Sequence, residues 1–214
     1  MNTLWRRPWL GPLVALASVY LLFVLLAPAT FPGVTNLTTM ARQTVVVAIT
    51  SLGMTFVILL GGIDLSVGSG VALTGVVLAS ALDAGWPTLG ALAIAVLTPA
   101  LAGLFTGVLT TRARLTPFIV TLGSMSILRG IAKGLADEQK IDADPRGLDT
   151  LMTAGGAGLP GATGLPSLAG LPAGAFLAIA LAVLAGLVLE HSVFGRHVLA
   201  IGSNAQTARL CGVP

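Results

Sequence analysis

The sequence predicts an all-α protein that forms a polytopic bundle of transmembrane helices. Hydrophobic residues make up 55% of its 214 residues and charged residues only 9%, and the mean hydropathy is +0.97. Because a soluble domain contains about 25% charged residues, a chain with so few charges cannot cover a surface that faces water. In lipid the backbone has to satisfy its own hydrogen bonds, which favours helices over open strands.

Six apolar segments are long enough to be membrane-spanning candidates. A helix needs about 20 mostly apolar residues to cross a hydrocarbon core of about 30 Å. The third segment is short, and Gly68 and Gly70 weaken its start as a helix. The segments are 10–29, 40–60, 66–82, 88–109, 117–135 and 173–190.

The first segment allows two interpretations. Arg6 and Arg7, an apolar run and the Ala-Pro-Ala sequence at 27–29 resemble a secretory signal with its cleavage site. The run is longer than the core of a usual signal, however, and Trp5 and Trp9 lie where an interfacial aromatic belt is expected. We therefore expect a retained helix.

The charges of the loops predict the orientation of the helices. Cytoplasmic loops of membrane proteins carry an excess of Lys and Arg. If the six segments alternate, one side of the membrane receives Arg6, Arg7, Arg112, Arg114, Arg196, His197 and Arg209. We expect that side to be the cytoplasm, with the N-terminus inside.

The loop at 136–172 is expected on the opposite, extracytoplasmic side, and its two halves differ in composition. The first half is rich in Asp and Glu and can meet an extracytoplasmic partner. The second half repeats Gly-Leu-Pro at 158–160, 164–166 and 170–172. Such a repeat favours turns and extended backbone, so we expect a surface linker.

Arg129 and Lys133 depart from this charge pattern because they lie near the outer end of the fifth segment. They are four residues apart and therefore share one helix face. We expect them to anchor the helix by extending toward the membrane surface. Contact with a solute or a partner is the alternative.

The stretch 61–69, which reads GGIDLSVGS, places a carboxylate between two apolar segments. The flanking residues 44–60 and 67–82 carry no charge. An ionised side chain beside hydrocarbon is costly, so such a residue usually has a partner or a function.

Two interpretations of this junction stay open. Gly61 and Gly62 can end one helix, and Asp64 can cap the next through the amides of Ser66 and Val67. The junction is then a helix cap at the membrane surface. Alternatively, the break is a functional hinge or part of a transport pathway.

Small residues recur at the intervals that favour helix packing. In lipid, small side chains let two helix backbones approach closely. We expect such contacts at three pairs, which are Gly103 with Gly107, Gly68 with Ala72, and Gly75 with Ala79.

Several classes of chemistry have no motif in this chain. It contains no Gly-x-x-x-x-Gly-Lys-Ser/Thr loop, so we do not expect it to bind and hydrolyse ATP itself. His191 and His197 lie beyond the last segment and Cys211 is the single cysteine, so we expect neither a metal site nor an internal disulfide. No intramembrane catalytic pair is evident, so we do not expect an enzyme. The basic residues are scattered between apolar spans, which does not suggest a nucleic-acid partner.

Three separated blocks resemble one family. GGIDLSVGS at 61–69 resembles the hallmark of the ribose/xylose/autoinducer class of ABC importer permeases. TPFIVTLGSMSILRGIA at 116–132 is similar to the segment that enters and fills the family's fifth helix. FGRHVLAIGSNAQTARLCGV at 194–213 is similar to the cytoplasmic stretch that contacts the ATPase.

The resemblance implies a permease subunit in the bacterial cytoplasmic (inner) membrane that forms the translocation path for a sugar or sugar-like solute. It implies three protein partners: an ABC ATPase subunit that binds the ATP, an extracytoplasmic solute-binding protein, and a second permease copy or a paralogue. The junction would then move or shape the path. Its implied path or hinge residues are Gly61, Gly62, Asp64, Ser66 and Gly68.

The resemblance also implies that residues 191–214 form a cytoplasmic segment that couples the permease to the ATPase. Ser203 or Asn204 can cap a short helix at 205–211, and Gly212 can end it. In the family such a helix docks into a groove on the ATPase. The implied coupling residues are Gly202, Asn204, Ala208, Arg209 and Gly212.

Permeases of this family carry roughly ten membrane helices, of which about six are expected here. On this resemblance we expect the chain to be a fragment, part of a split permease or an inactive truncation, and we favour a fragment or truncation. Two other functions stay open. One is a truncated, non-transporting scaffold that still binds the ATPase. The other is an ion-coupled secondary transporter, for which Asp64 is the only candidate coupling carboxylate.

Overall fold

The computed structural model of the protein describes residues 10–27, 31–149 and 172–213. The regular elements formed by these residues are α-helices, as the apolar composition predicts. The helices are α1 (Leu10–Leu26), α2 (Val34–Leu59), α3 (Val67–Asp83), α4 (Thr88–Arg112), α5 (Pro117–Leu135), α6 (Ala173–His191), α7 (Val193–Ser203) and α8 (Ala205–Leu210).

Each of the six apolar segments forms a helix, which confirms the predicted membrane bundle. Helices α2, α4, α5 and α6 are long and apolar enough to cross a membrane, whereas α1 and α3 are apolar helices of 17 residues. Residues 1–9 and 28–30, which include much of the signal-like pattern, lie outside the described residues.

Helix α2 begins at Val34 rather than at residue 40, so the predicted boundary was wrong. Its first turns are polar, but they satisfy their own hydrogen-bonding groups. The hydroxyls of Thr38 and Thr39 both donate to the carbonyl of Thr35 at 2.9 Å, and the amide of Asn36 donates to the carbonyl of Phe31. A polar sequence can therefore extend the apolar helix by almost two turns.

The helices pack in two groups. Helices α3, α4 and α5 contact one another, and their shared core contains Leu73, Leu128 and Ala132. In the second group, α2 contacts α6 and α7, while α7 also contacts α6 and α8. We call the end of the bundle that carries residues 60–66, 112–116 and α7–α8 the cavity end, and the end that carries residues 84–87 and 136–149 the loop end.

At the loop end, residues 143–148 pack against the helices and form hydrogen bonds with them. Ala143 and Leu148 pack against a buried cluster of Ala81, Leu82 and Ala91. The guanidinium of Arg146 donates to the carbonyls of Trp86 at 2.6 Å and Leu82 at 3.3 Å. The first half of the 136–172 connection therefore packs against the end of α3 and bonds to its backbone. Most of the Gly-Leu-Pro repeat lies outside the described residues.

Within the described residues, the glycines of the predicted small-residue pairs make no close contact with another helix. A Cβ placed on Gly68, Gly75, Gly103 or Gly107 would meet no atom within 4 Å. Spacing alone identifies a small-residue face but not whether a neighbouring helix lies against it. Close backbone contacts occur instead at the cavity end, at Gly195 and Gly202.

Candidate functional site at the cavity end

A cavity of about 730 Å³ opens at the cavity end, between the two helix groups. Its lining combines four parts of the chain: the end of α2 with the 61–64 junction, one face of α4, the start of α5, and α7–α8. The lining residues used below are Gly61, Gly62, Asp64, Gly103, Thr106, Gly107, Thr110, Thr111, Thr121, Phe194, His197 and Arg209.

The junction between α2 and α3 begins with a glycine-dependent turn. Gly61 has a φ of +77°, a conformation that glycine adopts without the strain of a side chain. The amides of Gly61 and Gly62 donate to the carbonyls of Ile58 and Val57, each at 2.9 Å. These two bonds close the last turn of α2 and direct the chain into the cavity wall.

Asp64 stabilises the start of the next helix, but not with the predicted pair of amides. One of its carboxylate oxygens accepts from the Ser66 amide at 2.8 Å and from the Ser66 hydroxyl at 2.6 Å. The second donor is therefore the hydroxyl of Ser66 and not the predicted amide of Val67. Ser66 itself is the N-cap residue of α3 and is buried.

The two halves of the 61–69 motif have different surroundings. Gly61, Gly62 and Asp64 line the cavity. Ser66 and Gly68 do not line the cavity. Ser66 is buried, and Gly68 is exposed in the first turn of α3. The structure therefore brings three of the five predicted path residues to one site.

The α4 wall of the cavity is a face of threonines that sequence reasoning missed. The hydroxyls of Thr106, Thr110 and Thr111 each donate to a carbonyl four residues earlier, at 2.8 Å. A hydroxyl has one proton and two lone pairs. These side chains have therefore used their donors and retain capacity to accept hydrogen bonds. Their spacing with Gly103 and Gly107 on one helix face was the available signal.

Thr121 links the start of α5 to the junction between α2 and α3. Its hydroxyl lies 3.3 Å from the carbonyl oxygen of Ile63 in the junction and 3.2 Å from that of Phe118 in its own helix. Thr121 is buried. The start of α5 is therefore bonded directly to the backbone of the junction.

Helix α8 is capped at both termini, as the sequence predicted, and its last residue is Leu210. The side-chain oxygen of Asn204 accepts from the amides of Gln206 and Thr207, each at 3.0 Å, so Asn204 rather than Ser203 is the cap. At the other end Gly212 has a φ of +81°, and the amide of Val213 donates to the carbonyl of Ala208 at 3.0 Å. This is the bonding pattern of a glycine-terminated helix.

The five predicted coupling residues have different surroundings. Arg209 lines the cavity, Ala208 is buried, and Gly202 lies against the backbone of Leu59. Asn204 and Gly212 have the two capping roles. The segment thus contacts the end of α2 directly, beside the junction, a proximity that the sequence did not indicate.

Ionisable side chains are few in this cavity. Asp64, His197 and Arg209 are in the lining, and no ion pair joins them in the described part of the chain, where the one such pair is Lys140–Asp142 at the loop end. Within the same residues, no group of three or more His, Cys, Asp or Glu side chains could hold a metal ion.

Arg129 and Lys133 lie away from this site. Both are exposed on α5, and neither side chain has an ion-pair partner among the residues that the structure describes. Their placement is compatible with both predicted roles, anchoring and contact with another molecule.

Comparison with known proteins relates the chain to a family of transport permeases. The family described as the branched-chain amino acid transport system / permease component matches residues 36–214. The inner membrane ABC transporter permease protein YjfF of Escherichia coli K12 is 36% identical over 207 residues. The ribose import permease protein RbsC is 35% identical over 201 residues in the same organism and 34% identical over 183 residues in Haemophilus influenzae.

These alignments cover most of this chain but only part of each relative. The two Escherichia coli alignments cover 94% of this chain and 60% of the relative, and the Haemophilus influenzae alignment covers 86% and 54%. The chain therefore spans about 60% or less of the length of these relatives. No solved structure matches this chain.

Proposed function

Because the chain belongs to the family of permease components of branched-chain amino acid transport systems, we propose that it forms part of the membrane permease of an ABC-type importer. It provides part of the path for a sugar or sugar-like solute, and a partner subunit hydrolyses the ATP. The chain itself is not an enzyme. The observation that carries this proposal is the cavity, which brings the 61–64 junction, the α4 threonines and the coupling segment together.

The chemistry of the cavity wall supports a neutral, hydroxyl-rich solute. The three α4 threonines have donated their protons to the main chain and can accept hydrogen bonds from a solute. Asp64 adds a carboxylate, which also accepts. Sugar hydroxyls are suitable donors for such a wall. Two relatives carry names that state ribose import, and another, from Bifidobacterium longum, is named a fructose import permease.

The same proposal assigns the two sides of the membrane. The cavity end with residues 191–214 faces the cytoplasm, as does the N-terminus, and the 136–172 connection faces outward. The inner membrane placement is supported by a relative named as an inner membrane ABC transporter permease. An extracytoplasmic solute-binding protein, an ABC ATPase and a second permease copy or paralogue are the proposed partners.

The residues have distinct proposed roles. Gly61, Gly62 and Asp64 shape the path, and Ser66 and Gly68 support the start of the helix that follows. Gly202, Asn204, Ala208, Arg209 and Gly212 position the segment that receives the ATPase. Arg129 and Lys133 anchor the outer half of α5 or contact a partner there.

The test is solute uptake into cells that make the permease with its partner subunits. A panel of radiolabelled pentoses and hexoses is supplied, and uptake is compared among the unchanged chain, Arg209→Glu and Asp64→Asn. We expect Arg209→Glu to reduce uptake at least tenfold, because it reverses a charge in the segment that meets the ATPase. A protonophore should not change the initial rate of solute uptake by the unchanged chain as long as the ATP concentration is maintained.

Two outcomes would contradict the proposal. Uptake that survives Arg209→Glu, collapses with the protonophore and is lost in Asp64→Asn would indicate an ion-coupled transporter. Retained binding to the ATPase with no uptake of any solute by the unchanged chain would indicate a non-transporting scaffold.

A further inference from the structure

Helix α7 presents one glycine-containing face to the ends of two other helices. Gly195, Val198 and Gly202 are spaced three and four residues apart and therefore share a face. Gly195 and Val198 are buried. This face lies across the ends of α6 and α2, both of which contact α7.

Gly195 fixes α7 to the end of α6. A Cβ at this position would overlap the carbonyl oxygens of Val188 and Leu189, so a glycine is required for the observed approach. Ser192 strengthens the same corner. Its hydroxyl donates to the carbonyl of Val188 at 2.5 Å and accepts from the amide of Gly195 at 2.9 Å.

Gly202 places α7 against the end of α2. A Cβ here would overlap the carbonyl oxygen of Leu59, the last residue of α2. A second contact forms near the other end of α7, where the rings of Phe56 and Phe194 lie with centroids 6.0 Å apart. Two separated contacts restrict both the distance and the angle between the helices, whereas a single contact would allow rotation.

The contact at Leu59 is continuous with the cavity wall. Only Leu60 separates Leu59 from the Gly61–Gly62 turn, and the carbonyl of Ile63 accepts from Thr121 of α5. On its other side, α7 is followed by Asn204 and α8. A displacement of α8 therefore has a direct route through α7 to the junction.

We propose that α7 and the cavity-end portions of α2 and α6 move as one rigid body, and that Gly195 and Gly202 are the positioning residues that hold α7 in it. This inference rests on the proposed function, because it concerns how motion at the ATPase reaches the transport path. Movement then takes place between this body and the α3–α5 group rather than between α7 and α2.

The first experiment tests rigidity by fixing α7 to α2. Phe56→Cys and Phe194→Cys are combined with Cys211→Ser, because Cys211 is an exposed thiol and would compete for the reagent. The permease, with its partner subunits, is reconstituted and treated with a short bis-maleimide. We expect ATP-driven uptake to stay within twofold of its value before cross-linking. A loss of tenfold or more would overturn the inference, because it would mean that α7 must move relative to α2.

The second experiment compares Gly202→Ala with Gly186→Ala. Gly186 lies in α6, and a Cβ there would meet nothing within 4 Å, so it is a matched control. We expect Gly202→Ala to bind the ATPase and support ATP hydrolysis while the solute moved per ATP hydrolysed falls at least tenfold. Gly186→Ala should keep the ratio of the unchanged chain, and an unchanged ratio in Gly202→Ala would overturn the inference.

The two arms also separate the failure of this inference from that of the proposed function. If the unchanged chain shows no ATP-driven uptake, the proposed function fails before either variant is compared. If Gly202→Ala does not assemble with its partners, the cross-linking experiment tests the rigid body. If the variant with Phe56→Cys, Phe194→Cys and Cys211→Ser shows no uptake before cross-linking, the solute moved per ATP by Gly202→Ala tests it.

Discussion

The two helix groups are held together in different ways. In α3–α5, side chains from different helices are buried against each other, with Leu73 of α3 and Leu128 of α5 in one cluster. In the other group, α2 buries Val45 as its one buried residue, and the closest approaches are backbone contacts at Gly195 and Gly202. The first group is a packed core, whereas in the second α7 meets α2 and α6 through close backbone contacts at their ends.

This difference indicates which group serves as the frame. Interlocked side chains have few alternative arrangements, so a packed core resists sliding. The second group buries fewer large side chains, with Val45 as the one buried residue of α2, so it can tilt as a unit without disturbing the α3–α5 core. If α7 moves with α2 and α6 as proposed, α3–α5 is the frame against which they move, and the cavity between the groups changes shape.

The largest expected effect on stability is the loss of a core side chain from the frame. Leu73 is 3% exposed, and Leu73→Ala should lower the free energy of unfolding by about 2–4 kcal/mol, because the substitution leaves a cavity. The measurement is denaturation of the purified protein by SDS in mixed micelles. Leu104→Ala is the matched control, since Leu104 lies on α4 and is 63% exposed. Equal losses at both positions would show that side-chain packing does not distinguish the frame.

The next effect concerns the loop end of the same frame. Arg146→Ala should destabilise the end of α3 by about 1–2 kcal/mol, because a charged donor to two backbone carbonyls is removed. Hydrogen exchange of the amides at 80–86 should accelerate. Lys140→Ala should leave that exchange unchanged, since the Lys140–Asp142 ion pair is fully solvated. Identical exchange in both variants would contradict a structural role for the Arg146 contacts.

A smaller effect is expected in the second group, at the cap of α8. Asn204→Ala removes the acceptor of two amide protons and should destabilise this short helix by about 1 kcal/mol. On the proposed function, binding to the ATPase then weakens roughly fivefold, because about 1.4 kcal/mol corresponds to tenfold. Ser203→Ala is the matched control, because Ser203 does not cap the helix. The measurement is a binding curve for each variant with the purified ATPase. Identical curves would show that the Asn204 cap does not contribute to ATPase binding.

The sequence predicts the parts of this structure that depend on composition and local capping. Six helices follow from apolar length, and the cap at Asn204 and the turn at Gly212 follow from side-chain chemistry. These features need no knowledge of which helices are neighbours. That is why they could be predicted without a structure.

Features that depend on neighbouring helices were missed or misplaced. The glycines at 103 and 107 have a favourable spacing, yet they line the cavity rather than contact another helix. Gly195 and Gly202 make the close contacts, and their seven-residue spacing around Val198 does not by itself reveal which helices lie against them. Thr106 and Thr110 resemble tolerated polar residues within an apolar helix until their shared cavity wall is known.

The smallest expected effect tests whether polar contacts also hold the frame together. The hydroxyl oxygens of Thr106 in α4 and Ser124 in α5 lie 3.4 Å apart, and both side chains are buried. A double-mutant cycle of Thr106→Val and Ser124→Ala should give a coupling energy of about 0.5 kcal/mol, typical of hydrogen bonds between helices in membranes.

The control cycle pairs Thr106→Val with Ser126→Ala, because the Ser126 hydroxyl donates within its own helix to Leu122. Its coupling energy should be near zero, since distant side chains that share no partner contribute independently. The Thr106 hydroxyl already donates to the carbonyl of Ala102 at 2.8 Å, so Ser124 can only donate to its remaining lone pairs. A coupling energy above about 1.5 kcal/mol would exceed what most such bonds contribute. It would mean that α3–α5 is held by a polar contact beside the cavity as much as by its apolar core, and that a solute competing for these hydroxyls would loosen the frame itself.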